Sequence, residues 1–125
     1  MNLLLDTHAL IWIFAADATL DGRVREAVVS AENRVFVSAA SVWEIAIKRS
    51  LGKLRVPDDV VEQIEAHRFE QLAMTSEHAW YAGNLPPHHA DPFDRMLIAQ
   101  ALHEDLAIVS RDGAFDAYGV RRLPA

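Results

Sequence analysis

Short apolar runs, each broken by a polar or turn-forming stretch, organise the 125-residue chain. NLLL (Asn2–Leu5) has the length and composition of a buried strand and stops sharply at Asp6. HALIWIFAA follows with helical length, and Thr7 is its candidate N-cap. RVFVS (Arg34–Ser38) is a second run of β-branched and aromatic residues. In SVWEIAIKRSLGKL the apolar positions Val42, Ile45, Ala46 and Leu51 recur at helical spacing, with Gly52 near the end. PDDVVEQIEAHRF opens on proline and two aspartates, a favourable helix start, and puts Val60, Val61 and Ile64 on one face. QLAM (Gln71–Met74) reads as a weak third strand, and TSEHAWYAGNL as a short helix. DPFDRMLIAQAL is a further helix, LAIVS (Leu106–Ser110) a buried strand, and GVRRL an edge strand.

Strands alternating with helices predict βαβ units, hence an α/β domain whose parallel sheet is covered on both faces. No repeat, low-complexity tract or linker divides the chain, so residues 1–125 are expected to form one domain. Half of the residues are hydrophobic (51%) and a quarter charged (24%), the ordinary balance of a soluble globular protein. With no cysteine there is no disulfide or thiolate metal site. The apolar runs are too short to span a bilayer and no basic segment precedes the first of them, so a cytoplasmic protein is expected. A net charge of −6 argues against binding nucleic acid through bulk electrostatics, while leaving room for a local basic patch beside an acidic, metal-filled site.

In open parallel sheets, ligands bind beyond the carboxyl ends of the strands. Asp6 follows the first strand directly, Asp112 follows LAIVS by two residues, and Glu44 lies early in the helix after RVFVS. Asp94 opens the helix before LAIVS, and the long GNLPPHHADPF segment is expected to carry it to the same edge. Each acid has a purely structural alternative. Ser41 and Glu44 have capping-box spacing, Asp91 and Asp94 suit a helix N-terminus, and Asp112 precedes glycine in a turn. Asp6 resists such a reading, because a lone carboxylate beside the core is costly. Carboxylates that converge repel one another and call for a cation, and an all-oxygen set selects a hard ion, Mg²⁺ or Mn²⁺.

The blocks LLLDTHALIW, SAASVWEIAIKRSLGKL and DPFDRMLIAQAL…LAIVSRDGAF together resemble those of the PIN domain ribonucleases, and among them the VapC-type toxins of toxin–antitoxin pairs. The resemblance covers nearly the whole chain in order. It implies a PIN-like three-layer fold with a central parallel sheet of four to five strands flanked by helices. It also implies Mg²⁺- or Mn²⁺-dependent hydrolysis of RNA, a homodimer, and inhibition by a cognate antitoxin. Carried over residue by residue, the acidic quartet falls on Asp6, Glu44, Asp94 and Asp112. Glu44 is left as either a metal ligand or a residue that orients water. Thr7 and Ser110 match the small hydroxyl residues after the first acid and before the last. Asp91 is an extra acid, read as the cap of Asp94's helix.

Beside the quartet, KRSLGKLR gathers Lys48, Arg49, Lys53 and Arg55 without an acid, either as a solvated helix end or as a contact for RNA phosphate or an acidic partner. Arg95 and Arg111 each neighbour a quartet acid and are candidate contacts for that acid, for substrate phosphate or for an antitoxin carboxylate. His8 reads as a helix-start residue, and the His88–His89 pair as a weak transition-metal motif. Trp12, Trp43 and Trp80 are expected in the core or at a dimer interface. A phosphoaspartate phosphatase of the haloacid dehalogenase type is excluded, since its second aspartate would stand where His8 does. A non-catalytic PIN-like binding module and a metal-dependent DNA nuclease remain as alternatives.

Overall fold

The computed structural model describes every residue from Met1 to Ala125. Five strands form one sheet: β1 (Asn2–Leu5), β2 (Arg34–Ser38), β3 (Glu70–Leu72), β4 (Ala107–Val109) and β5 (Arg122–Leu123). Their order is β3-β2-β1-β4-β5 and every pairing is parallel. Six α-helices flank the sheet: α1 (Thr7–Phe14), α2 (Gly22–Val29), α3 (Ala39–Ser50), α4 (Val60–Ala66), α5 (Ser76–Gly83) and α6 (Pro92–Glu104). A 3-10 helix spans Gly113–Tyr118.

The alternation of side chains along β1 divides the core in two. Leu3 and Leu5 join Val35, Val37 and Val109 beneath α1, α2, α3 and α4, with Leu10, Val24, Ile45 and Ile64 as the helical contributions. Leu4 and Ile108 face the other way, onto Leu97, Ile98 and Ala101 of α6 and Phe115 of the 3-10 helix. Helices therefore cover both faces, giving the expected three layers.

Register sets the functional edge. Leu5 pairs with both Val37 and Val109, so the next residues, Asp6, Ser38 and Ser110, leave the sheet side by side. The ladder runs one step further, where the Asp6 N–H donates to the Val109 carbonyl at 3.1 Å. Helices α1 and α3 start at once, without a connecting loop.

That abruptness changes the helix starts expected from the sequence. Asp6, not Thr7, caps α1, accepting from the Ala9 N–H at 2.7 Å. Ser38 caps α3 through the Ala40 N–H, which places Ser41 inside the helix and prevents a Ser41–Glu44 capping box. In α4, Ile64 is buried but Val61 is 45% exposed, so the apolar face is narrower than its spacing predicts. The third strand is Glu70–Leu72, one residue earlier and shorter than the apolar run suggests. Trp43 (57% exposed) and Trp80 (78%) lie at the surface rather than in the core. Trp12 carries the Arg111 guanidinium on its ring face at 3.8 Å.

Candidate active site

The acids meet where β1, β2 and β4 end. Asp6 is buried, and burial is the main reason its carboxyl titrates above its ordinary 3.8. Hydrogen bonding from Ser110 and Ala9 and the nearby His8 oppose that rise, while the Asp112 charge adds to it. Ser110 is itself fully buried, and its hydroxyl accepts the Asp112 N–H at 2.9 Å. The residue after β4 is thus tied to both acids.

Glu44 projects from the second turn of α3 and is also buried. The Thr7 hydroxyl donates to its Oε1 at 2.6 Å and lies 3.1 Å from the Ser41 Oγ. Its Oε2 receives the Lys48 ammonium from one turn further along. Lys48 is held protonated above its usual range mainly by Glu44, with smaller support from Asp91 and Asp94. Its ammonium therefore sits among the acids, an intramolecular pairing that neither reading of the KRSLGKLR segment anticipated.

The segment between α5 and α6 does cross to this edge. Asp91 caps α6, its Oδ1 accepting from Phe93 N–H at 2.8 Å and Asp94 N–H at 3.1 Å, so it is engaged as a cap. Asp94, one turn on, has its pKa raised from 3.8 to about 6. Burial contributes most, followed by the Asp91 charge; Glu44 and Asp6 raise it further, and His89 lowers it. Asp94 thus feels Asp6 and Glu44, and Asp6 feels Asp112. Four carboxylates from four segments share one electrostatic neighbourhood.

Of the His88–His89 pair, only His89 joins the cluster, beside Asp94 and Asp112. Its Nε2 lies 3.1 Å from Asp94 Oδ2 and 3.7 Å from Asp112 Oδ2. His88 turns away to pack against Tyr118, with ring centres 5.2 Å apart, so the two histidines do not act as a pair. The available signal was only the position of His89 in the connecting segment, without the turn that folds it onto the acids.

Two arginines adjacent to acids in sequence are engaged elsewhere. Arg95 donates to the carbonyls of Ala82, Leu85, Pro86 and His89, fastening the segment before α6. Arg111 donates to the Ala125 carbonyl and to the carbonyl and hydroxyl of Thr19. Neither guanidinium is directed at a quartet carboxylate. Arg49 donates to the Val56 carbonyl at the end of α3.

The donors that come within 4.8 Å of one another are those of His89, Asp94 and Asp112, and with Asp6 and Glu44 nearby, no thiolate, and enough like-charge repulsion and burial to hold Asp94 near 6, the carboxylates suit a hard divalent cation. The largest cleft, about 940 Å³, lies at the opposite edge, where β2 and β3 begin, and is lined by Leu20, Val28, Val35 and Phe69 among others. It shares no residue with the acid cluster.

The parallel sheet runs in 3-2-1-4-5 order with acids gathered at its carboxyl edge, and the family model of the PIN domain matches residues 3–120. The chain belongs to the PIN domain family. Solved structures share the fold across nearly the whole chain. DNA-bound VapBC from Salmonella typhimurium is 20% identical with a TM-score of 0.69, covering 99% of this chain and 98% of that one. VapBC2 from Rickettsia felis, bound to a fragment of its promoter, is 14% identical with a TM-score of 0.73 and the same coverage, 99% and 98%. FitAcB from Neisseria gonorrhoeae is 22% identical with a TM-score of 0.64, covering 97% and 96%. No curated protein sequence matches significantly.

Proposed function

We propose that this PIN domain is the endoribonuclease toxin of a type II toxin–antitoxin pair, a homodimer that hydrolyses RNA with Mg²⁺ or Mn²⁺ and is silenced by a cognate antitoxin. The observation that carries the reading is the convergence of Asp6, Glu44, Asp94 and Asp112 from four segments, with Asp94 pushed up to about 6 by burial and its acidic neighbours. Such a cluster is unfavourable unless something positive is bound there. The VapBC complexes that share the fold support the toxin assignment. No helix is long and apolar enough to cross a membrane.

Asp6, Asp94 and Asp112 would hold the cation. When bound, a divalent ion supplies a lowered pKa for water and neutralises charge developing at the scissile phosphate. Glu44 has both oxygens engaged, by Thr7 and by Lys48, which favours orienting the attacking water over ligating metal. The Lys48 ammonium is the nearest protein cation to the acids and is assigned to the phosphate flanking the cut. Ser110 and Thr7 fix the carboxylates of Asp6 and Glu44 so that neither must reorganise during reaction. Asp91 supports Asp94 by starting its helix.

The test is incubation of the purified, partner-free protein with total cellular RNA and Mn²⁺. Cutting at defined sites that a chelator and Asp94→Asn both abolish is the expected result. A folded protein that cuts no RNA under these conditions refutes the assignment.

A further inference from the structure

We propose that His89 is a positioning residue that sets the spacing between the Asp94 and Asp112 carboxylates, preparing them to receive a divalent cation without ligating it. The inference rests on the functional reading above in taking those two acids as cation ligands. They come from different elements, the first turn of α6 and the segment after β4. No backbone ladder fixes their separation. The ring of His89 lies between them, 3.1 Å from one Oδ2 and 3.7 Å from the other, with its side chain only 16% exposed.

The tautomer distinguishes a donor from a ligand. The Asp91 N–H donates to His89 Nδ1 at 3.2 Å, so that nitrogen offers its lone pair and the ring proton resides on Nε2, the ring nitrogen nearest both carboxylates. A histidine that ligates metal has the reverse arrangement, with its second nitrogen donating to a carbonyl or carboxylate. The nitrogen nearest Asp94 and Asp112 is therefore the protonated one, with no lone pair there for a cation.

The surrounding segment holds that ring in place. The His89 N–H donates to the Tyr118 hydroxyl at 2.8 Å, and its carbonyl accepts from Arg95 at 3.1 Å. The Tyr118 hydroxyl donates in turn to the Pro86 carbonyl at 2.7 Å. Tyr118 ends the 3-10 helix that Asp112 caps, and Arg95 follows Asp94 directly. The two fastenings of His89 thus come from the same two segments that carry the acids, so one segment couples both. Fixing ligands before the ion arrives removes an ordering cost from binding.

The test measures Mn²⁺ binding in the absence of RNA, from the loss of the free-ion paramagnetic resonance signal, on wild type, His89→Ala, His89→Gln and His88→Ala. His89→Ala is expected to weaken Mn²⁺ binding about tenfold or more, the usual effect of removing a partner that orients metal ligands. His89→Gln, which retains a side-chain N–H, is expected to recover most of the affinity, and His88→Ala to match wild type. Spin-echo modulation of the bound Mn²⁺ is expected to show no directly coordinated nitrogen. Unchanged or tighter binding by His89→Ala overturns the inference, as does a coordinated ¹⁴N in the wild type. These results leave the acidic site itself standing. A wild type that binds no Mn²⁺ removes both the inference and the metal-site reading.

Discussion

Replacing Asp94 with asparagine is expected to stabilise the metal-free protein at neutral pH while destroying its proposed activity. The folded carboxyl titrates at about 6 instead of 3.8, so ionising it in place costs free energy that the unfolded chain does not incur. That cost is absent when the pH is well below 3.8. It grows as pH rises from 3.8 towards 6, and is complete above it. A shift of about two units at 1.36 kcal/mol each gives roughly 3 kcal/mol as an upper value. The side chain is 25% exposed and lies in a helix's first turn, where an acid gains from the dipole, so about 1–2 kcal/mol is expected to survive. For a domain of this size that is a rise in Tm of roughly 5 °C. Thermal unfolding of wild type and Asp94→Asn in chelator, from pH 4 to pH 8, reads it directly: the variant's advantage should appear between pH 4 and 6 and level off above. Mn²⁺ should then raise the wild-type Tm and leave the variant's almost unchanged. An asparagine variant less stable than wild type at pH 7, or a difference that does not vary with pH, would show that Asp94 merely favours its helix and would refute the reasoning.

Two further expectations concern neighbouring residues. Arg95→Ala, which removes donors to four carbonyls, should cost about 2–3 kcal/mol in urea unfolding, and Arg95→Lys should recover little of it, because an ammonium cannot reproduce the guanidinium fork; full stability of the alanine variant would contradict the fastening role. Lys48→Met should cost about 2 kcal/mol at pH 7 by leaving the buried Glu44 carboxylate without its cation, and adding Glu44→Gln should restore most of that, so a double-mutant cycle showing no coupling would contradict the pairing.

The parts of the fold legible in the sequence are those whose burial is continuous. β1, β2 and β4 stand in the middle of the sheet and are covered on both faces, so NLLL, RVFVS and LAIVS announce themselves without knowledge of their partners. Helix α2 buries only Val24 along its length, and its charge-rich GRVREAVV carries no comparable signal. β3 is an edge strand with half-exposed residues, and its limits depend on pairing with β2 rather than on its own pattern. Three of the quartet acids could be placed at one edge from strand ends and helix starts alone. The fourth, Asp94, needed the path of the segment before α6, which Arg95 and Tyr118 fasten through contacts invisible in a linear pattern. The same reason left the His88–His89 pair unresolved, since only the fold separates His89, against the acids, from His88, against Tyr118. Adjacency misled in the opposite direction for Arg95 and Arg111, because neighbours in sequence on a helix or turn point to different sides, and both guanidiniums found backbone carbonyls. Trp43 and Trp80 sit on helical stretches that are only partly covered, so apolar surroundings in sequence did not translate into burial.

The chemistry of the new RNA ends tests the account most directly. If Asp6, Asp94 and Asp112 hold a cation and Glu44 orients water, attack at phosphorus would leave 5′-phosphate and 3′-hydroxyl termini, and these are predicted for cuts made with Mn²⁺ or Mg²⁺. Ends bearing 2′,3′-cyclic phosphate would show that the RNA's own 2′-hydroxyl is the nucleophile, and would contradict hydrolysis at the acidic cluster.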